Sequence, residues 1–233
     1  MRIALLGYGK MGQAIEKIAI KRGHSIKLKV GSKTENYSLK TCDVAIDFSL
    51  PKTAFGNISR CIKDGIPVIS GTTGWLDYYD DVLKLVHEND GTFLYASNFS
   101  LGVNIFFELN RKLARLMSKL PEYKSSIEEI HHTQKLDAPS GTAITLADGI
   151  IAESGYKNWT LDSPNEEDIP ISAKRIKNVP GTHKVTYSSS IDSLDIVHTA
   201  HSRQGFAMGA LVAAEYIHNK KGIFTMKDVL NIS

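Results

Sequence analysis

A short run near the middle of the chain combines side chains suited to acid–base chemistry and to anion binding. Residues 131–142 read His-His-Thr-Gln-Lys-Leu-Asp-Ala-Pro-Ser-Gly-Thr. Histidine exchanges a proton near neutral pH, and Lys135 can supply a positive charge or a proton. Ser140, Gly141 and Thr142 open a helical pattern, and free N–H groups at a helix N-terminus attract carboxylates and phosphates. The run therefore predicts a site for an anionic ligand with proton-transfer groups beside it.

A strand and a helix must position this run. Residues 123–130 mix β-branched and charged side chains as a strand does, and residues 140–153 carry apolar side chains at helical spacing. This pattern predicts that both histidines and Lys135 lie on a loop, with Ser140 as the helix N-cap. Neighbouring strand residues face opposite sides, so at most one of the two histidines is expected to face a given site. A polar corner with a capped helix and no catalytic role is the alternative interpretation.

Composition excludes several classes of protein. The chain has 233 residues, 42% hydrophobic and 23% charged, and a net charge of +3, which is too small to indicate nucleic acid or a membrane surface as a partner. No apolar run is long enough to span a bilayer, and the sequence begins with a strand pattern in place of a signal peptide. Cys61 lies on an apolar helix face with Ile58 and Ile62, which indicates a packed thiol and a cytoplasmic protein.

The first residues predict a dinucleotide site. An apolar strand pattern over Ile3–Leu6 leads directly into residues 7–12, Gly-Tyr-Gly-Lys-Met-Gly, and then into a helical stripe that Gly23 ends. In this Gly-x-Gly-x-x-Gly motif the first glycine permits a tight turn and the second lets a pyrophosphate approach. The third allows the helix to pack closely on the strand. A purely structural turn is the alternative.

The end of the second predicted strand, Ser25–Val30, bears on cofactor choice. An NAD site usually has an acidic residue there, whereas this chain has no carboxylate between Val30 and Glu35. Ser32 and Lys33 could instead hold a 2′-phosphate, which favours NADPH while leaving NADH possible. A solvated turn is the alternative interpretation.

Alternating strands and helices then predict an α/β fold with a Rossmann-like, doubly wound parallel sheet. Residues 71–74, Gly-Thr-Thr-Gly, and residues 96–100, Ala-Ser-Asn-Phe-Ser, follow strand ends, where ligands gather in such sheets. Beyond a helical pattern over 101–120 and Pro121, longer alternating strands predict an inserted α+β substrate and oligomerisation domain with a mixed sheet. We expect residues 1–100 and 205–233 to form the dinucleotide domain and residues 101–204 the second domain. Residues 156–170 are expected to be an exposed loop.

Taken in order, these motifs resemble the dihydrodipicolinate reductase family over nearly the whole chain. The most specific part is Glu129-Ile130-His131-His132 followed by the segment from Lys135 to Thr142. Two departures occur: the glycine loop is one residue shorter than in many members, and Arg175 is followed by Ile-Lys-Asn-Val-Pro where many members have small residues and glycine. Further matching segments are 47–49, 71–74, 98–104 and 206–210.

The resemblance implies reduction of an unsaturated cyclic dicarboxylate to tetrahydrodipicolinate by NADPH or NADH, in lysine and diaminopimelate biosynthesis. It implies that His131 is the general acid/base and Lys135 a further proton donor. Contacts with the dicarboxylate are expected from His132, Ser140, Gly141 and Thr142, and a homotetramer is expected through the second-domain sheets. The expected cofactor contacts are Gly7, Tyr8, Gly9, Lys10, Met11, Gly12, Ser32, Lys33, Gly71, Thr72, Thr73, Ala96, Ser97, Asn98 and Phe99.

No metal is expected, because the histidines lack a metal-ligand spacing. His183, His198 and His201 are expected to be structural. Two alternative functions remain at this point. One is another two-domain NAD(P)-dependent dehydrogenase, and the other is a dinucleotide-sensing protein without turnover.

Overall fold

The computed structural model describes residues 1–34, 36–202 and 204–232, so Glu35 lies outside the described residues. It divides into two compact units: Met1–Leu101 with Gln204–Ser233, and Gly102–Arg203. Among the described residues, no helix combines the length and apolarity needed to cross a membrane.

The first unit is built on a six-stranded parallel sheet. The strand order is β2-β1-β3-β4-β5-β11. The chain therefore adds β2 on one side of β1 and all later strands on the other side, so the direction of winding changes between β1 and β3. Apolar residues buried on both faces explain why β1 and β3 read as continuous hydrophobic runs. The strands are β1 (Arg2–Leu6), β2 (Ser25–Val30), β3 (Val44–Asp47), β4 (Val68–Ser70), β5 (Thr92–Tyr95) and β11 (Gly222–Phe224).

Helices cover both faces of this sheet. One apolar core joins the sheet to α1 and α6, and a second core on the other face joins it to α2 and α3. This is the doubly wound arrangement that the alternating pattern predicts, and the predicted fold class is confirmed. The helices are α1 (Lys10–Lys21), α2 (Pro51–Lys63), α3 (Tyr79–Glu88), α6 (Gln204–Ile217) and α7 (Met226–Leu230).

The second unit is a five-stranded mixed sheet in the order β10-β9-β6-β8-β7, with two helices packed on one face. β6 pairs with β8 in parallel and with β9 in antiparallel fashion. Ser140 caps α5, since its side chain accepts a hydrogen bond from the Ala143 N–H, as predicted. The elements are α4 (Leu101–Met117), β6 (Lys124–His131), α5 (Gly141–Ile151), β7 (Asn158–Thr160), β8 (Asp168–Arg175), β9 (Gly181–Ser188) and β10 (Ser193–Ala200).

Three details differ from the sequence prediction. His131 is the last residue of β6 and not a loop residue, because it pairs with Arg175 of β8. The segment predicted as an exposed loop, 156–170, contains β7, which pairs with β8 through Trp159 and Ile169. Helix α4 ends at Met117, about one turn before Pro121. Sequence analysis also did not identify α3 or β11, whose apolar patterns are short.

Candidate active site

The glycine loop has the geometry expected of a dinucleotide site. Gly7 has φ +96°, and a Cβ there would lie 2.0 Å from the Phe48 carbonyl oxygen at the end of β3. A Cβ at Gly12 would lie 2.6 Å from the Gly7 carbonyl oxygen, whereas a Cβ at Gly9 would meet no atom within 4 Å. The first and third glycines are therefore needed for packing, and the second leaves the N-terminus of α1 open for a pyrophosphate.

Two charged residues near this loop were missed by the sequence analysis. Lys29 Nζ lies 2.6 Å from Glu16 Oε1 and 4.8 Å from the centre of the Tyr8 ring. The Tyr8 hydroxyl donates to Glu16, and the hydrogen bond from Lys29 lowers the pKa of Glu16. Lys29 is thus already paired, while Ser32 and Lys33 lie on an exposed turn. No spacing rule relates residues on different elements such as α1 and β2, so the Lys29–Glu16 ion pair could not be predicted from the sequence.

The carboxyl ends of β3 and β4 are joined by a buried carboxyl group. Asp47 has no exposed surface and accepts hydrogen bonds from Asn57 Nδ2 (3.1 Å), Ser70 Oγ (3.0 Å) and Thr72 Oγ1 (2.7 Å). Thr72 Oγ1 in turn accepts from the Ser49 N–H at 2.8 Å. Burial raises the pKa of Asp47. This network holds the two loops after β3 and β4 in place.

The predicted cofactor contacts at this edge differ in exposure. Thr72 turns inwards to Asp47, and Phe99 is 2% exposed, packed against the Phe48 ring at 5.7 Å between centroids. These two residues can meet a ligand only through their backbone. Thr73 and Ser97 are exposed.

Glu129 is the centre of a charged cluster in the second unit. Its side chain is completely buried, and it accepts hydrogen bonds from the Ser140 N–H (3.0 Å to Oε2) and from Arg175 Nη2 (3.0 Å to Oε1). Burial raises the pKa of Glu129, but its contacts with His183, Ser140 and Arg175 outweigh burial and hold the pKa at about 2. The carboxylate is therefore ionised at neutral pH.

His131 and His183 lie against this carboxylate. The two rings are 5.0 Å apart between centroids, and the nearest nitrogen of each lies 3.5 Å and 3.7 Å, respectively, from Glu129 Oε2. The 3.5 Å contact lacks hydrogen-bond geometry, so His131 Nδ1 has no hydrogen-bond partner among the residues described. A Cβ at Gly181 would lie 3.1 Å from His131 Nε2, so glycine on β9 makes room for the ring.

The charge state of His131 follows from these surroundings. Burial is the largest cause that lowers its pKa, and the positive charges of Lys135 and Arg175 and the neighbouring His183 lower it further. Glu129 opposes them, and the resulting pKa is about 4, against an ordinary value of 6.5. His131 is therefore a neutral proton acceptor at neutral pH in the absence of a ligand.

Lys135 lies on the loop between β6 and α5. Its ammonium contacts both carboxylate oxygens of Asp137, at 2.9 and 2.7 Å, and Asp137 is 60% exposed. The hydrogen bond from Lys135 lowers the pKa of Asp137. A ligand carboxylate can replace an exposed partner of this kind without burying an uncompensated charge.

The remaining predicted residues divide into capping and accessible groups. Ser140 is 2% exposed, and its Oγ accepts from the Ala143 N–H at 3.2 Å and lies 3.0 Å from His183 Nε2. It is thus engaged within the protein. Gly141 is exposed, with no atom within 4 Å of a Cβ there, and Thr142 is half-buried beside it. His132 is half-buried next to the strand end.

Sequence reasoning assigned His183 a structural role, yet the structure places it beside His131. The ligand atoms of Glu129, His131 and His183 all lie within 4.8 Å of one another, a grouping of the kind that can hold a metal ion. Glu129 already has both oxygens engaged by Ser140 and Arg175, which reduces its availability to a cation. The Gly-x-His pattern at 181–183 was the available sequence signal, but only strand pairing brings it to His131.

A glycine loop on a parallel sheet, together with a proton-transfer cluster on a second sheet, defines a two-unit pyridine-nucleotide-dependent reductase. The chain belongs to the dihydrodipicolinate reductase family: residues 1–99 match the family model for its N-terminus and residues 102–230 that for its C-terminus. The family expected from the sequence motifs is confirmed.

Individual relatives agree with this assignment. The 4-hydroxy-tetrahydrodipicolinate reductase of Christiangramia forsetii is 61% identical over 99% of this chain and 98% of its own length. That of Methanopyrus kandleri is 37% identical over 82% of this chain and 72% of its own. A dipicolinate-bound dihydrodipicolinate reductase from a Paenisporosarcina species has the same fold, with a TM-score of 0.77 at 22% identity over 98% of both chains.

Proposed function

We propose that this chain is a 4-hydroxy-tetrahydrodipicolinate reductase, which reduces the cyclic dicarboxylate to tetrahydrodipicolinate in lysine and diaminopimelate biosynthesis. The observation that carries the proposal is the placement of a neutral, buried His131 beside a cationic loop and an open helix start. A dicarboxylate needs cationic and N–H partners, and reduction of its ring needs a proton donor. The relative that is 61% identical over the full chain carries the same activity in its name.

The dicarboxylate is held by Lys135 and by the start of α5. The Lys135 ammonium exchanges its exposed partner Asp137 for a substrate carboxylate, and the N–H groups of Gly141 and Thr142 hold the same anion. Ser140 is the N-cap of α5, and its hydrogen bond to the first turn of the helix fixes these N–H groups in place. His132, half-buried at the end of β6, supplies a further polar contact to the substrate.

His131 is the general acid/base. When bound, a nicotinamide cofactor would supply the hydride, and the protein supplies the proton that neutralises the reduced ring. A pKa of about 4 leaves His131 neutral in the free enzyme. The two negative charges of a bound substrate raise that pKa, because opposite charges within a few ångströms favour the protonated imidazole. Substrate binding thereby shifts His131 towards its protonated form, and Lys135 is the second donor.

The cofactor is NADPH or NADH, with NADPH favoured. Ser32 and Lys33 follow β2 on an exposed turn and fit a 2′-phosphate, and Lys29 is neutralised by Glu16. The other proposed contacts are the glycine loop 7–12, residues 71–73 and residues 96–99. Rates of oxidation of NADPH and NADH at 340 nm, with substrate generated in situ by the preceding synthase, rank the two cofactors. Equal rates would remove the assigned role of Ser32 and Lys33.

The same assay tests the activity. Oxidation that depends on the synthase product supports the reductase. Intact dinucleotide binding without turnover would instead favour a sensing protein, and turnover with an amino acid or a semialdehyde would favour another dehydrogenase. Lys135→Ala should raise the KM for the dicarboxylate at least ~10-fold and lower kcat, because hydrogen bonds to charged groups contribute about 1.5–3 kcal/mol. Unchanged kinetics in this variant would remove Lys135 from the site.

We further propose a homotetramer formed through the second-unit sheet, in the cytoplasm. Alternate β9 residues such as Lys184 and Thr186 face away from the core beside a depression of about 730 Å³, and Val197 of β10 is 55% exposed. The cysteines are free and buried, which suits a reducing compartment. Light scattering after gel filtration should give four times the mass of one chain, and Val197→Asp should lower it. A monomeric wild type would contradict this assembly.

A further inference from the structure

The loop between β6 and α5 carries Lys135, yet few of its own contacts hold it. Leu136 is 96% exposed, and the neighbouring Asp137 and Ala138 are exposed as well. Within the loop, the Lys135 N–H donates to the His132 carbonyl oxygen at 3.1 Å. Because apolar burial contributes so little here, the position of Lys135 must depend on polar contacts from outside the loop.

Arg175, the last residue of β8, supplies such contacts. Its guanidinium donates to the carbonyl oxygens of Lys135 (3.3 Å from Nε) and Asp137 (2.6 Å from Nη2). Nη1 donates to the Lys174 carbonyl oxygen at 2.8 Å, and Nη2 donates to Glu129 Oε1 at 3.0 Å. One side chain thus joins two loop carbonyls, its own strand and the buried carboxylate.

The fork shape of the guanidinium is essential to this arrangement. Its donors on Nε, Nη1 and Nη2 point in fixed, different directions, whereas a lysine ammonium has its three donors on one atom. Glu129 fixes the guanidinium in turn, and it also accepts from the Ser140 N–H at the start of α5. The Glu129–Arg175 pair therefore connects the loop that carries Lys135 with the helix start that carries Gly141.

We propose that Arg175, anchored on Glu129, is a positioning residue that sets the Lys135 loop and the start of α5 in register for the substrate dicarboxylate. The inference rests on the proposed function, because it assumes that Lys135 and Gly141 bind the substrate. Arg175 itself acts through the backbone of the loop.

The test is Arg175→Lys, which keeps the positive charge and removes the fork. We expect the KM for the dicarboxylate, and the Kd for dipicolinate as a stable probe, to rise about 10-fold, because several hydrogen bonds that hold the loop are lost. The Kd for NADPH and the melting temperature should stay close to wild type. Glu129→Gln, which preserves the shape of the anchor, should change the dipicolinate Kd in the same direction.

A matched control is Arg115→Lys in the same unit. Arg115 of α4 makes a two-bond pair with Glu153, in the turn after α5, at 2.9 Å for both Nε and Nη2. The same substitution there should leave dipicolinate binding unchanged. Equal losses in both variants, or a fall in melting temperature with KM unchanged, would mean a general structural role and overturn the proposal.

Lys135→Ala separates the two levels of inference. If Lys135→Ala weakens dipicolinate binding and Arg175→Lys does not, the positioning role is wrong and the proposed substrate site stands. If neither variant changes binding, the substrate site is misplaced, and the inference falls with it.

Discussion

The two candidate sites differ in how much of each is formed by backbone and how much by side chains. The dinucleotide site in the first unit consists mainly of backbone at the carboxyl ends of parallel strands, with glycines that leave space. The site in the second unit consists mainly of side chains, several of them charged, around a carboxylate with no exposed surface, together with the backbone N–H groups at the start of α5. The first needs room for a large ligand, whereas the second needs defined charge states.

The two sites also differ in the pKa of their buried carboxyl group. Asp47 accepts only neutral donors, and burial raises its pKa. Glu129 is equally buried, and burial raises its pKa too, but its contacts with His183, Ser140 and Arg175 outweigh burial and hold the pKa at about 2. Polar and charged partners together thus keep Glu129 ionised, while Asp47 acts as a hydrogen-bond acceptor that organises loops.

The strongest test of this contrast removes the proton-transfer group alone. His131→Ala should lower kcat by ~10²-fold or more, because a positioned acid or base contributes about 10²–10⁴-fold. NADPH binding should persist, since the glycine loop is unaffected. Steady-state kinetics and NADPH fluorescence titration check both parts. The exposed histidine of α3, His87, gives the control variant His87→Ala, and a kcat within a few-fold of wild type for His131→Ala would exclude His131 from catalysis.

Two glycine substitutions should each weaken the binding of a different ligand. Gly9 and Gly141 each precede or open a helix, and a Cβ at either would meet no protein atom within 4 Å. Gly9→Ala should weaken NADPH binding about 10-fold, equivalent to about 1.4 kcal/mol, by occupying the approach of the pyrophosphate. Gly141→Ala should raise the KM for the dicarboxylate instead. Calorimetric titrations with NADPH and with dipicolinate would refute the contrast if both variants lost the same ligand.

The pH dependence of stability should report the His131 environment. Between pH 6.5 and about 4 the unfolded chain protonates this histidine and the folded chain does not. The unfolded state therefore binds more protons, and stability is lost as the pH falls through this window, by at most about 3 kcal/mol. His131→Gln should flatten the slope of unfolding free energy measured by urea denaturation from pH 6.5 to 5. Over most of this range Glu129, with a pKa of about 2 against 4.5 unfolded, contributes little to the slope. Parallel slopes in the two proteins would contradict the lowered pKa.

The smallest effect is expected at the Asp47 network. Thr72→Val keeps the side-chain shape, removes a donor to Asp47 and leaves the Ser49 N–H without its acceptor. We expect a loss of about 1–3 kcal/mol in unfolding free energy and only a few-fold weaker NADPH binding. Thr73→Val, at the exposed neighbour, is the control for stability. A large loss of dicarboxylate binding in Thr72→Val would mean that the network is not confined to the dinucleotide site.

The sequence by itself determined the dinucleotide half of this protein well. The glycine spacing, the apolar strand before it and the strand–helix alternation are local patterns, and the first glycine has a backbone conformation that few other residues allow. The run from His131 to Thr142 likewise identified the family and predicted the candidate second site, because its members are neighbours along the chain.

Only the tertiary structure decided how the second site is charged. His183 and Arg175 reach Glu129 through pairing of β9 and β8 with β6, across 54 and 46 residues of sequence, respectively. Periodicity reports which face a residue takes, but not which strand lies beside it. The pKa of a buried group depends on that neighbour, so the lowered pKa of His131 and the proposed role of Arg175 follow only once the strands are paired.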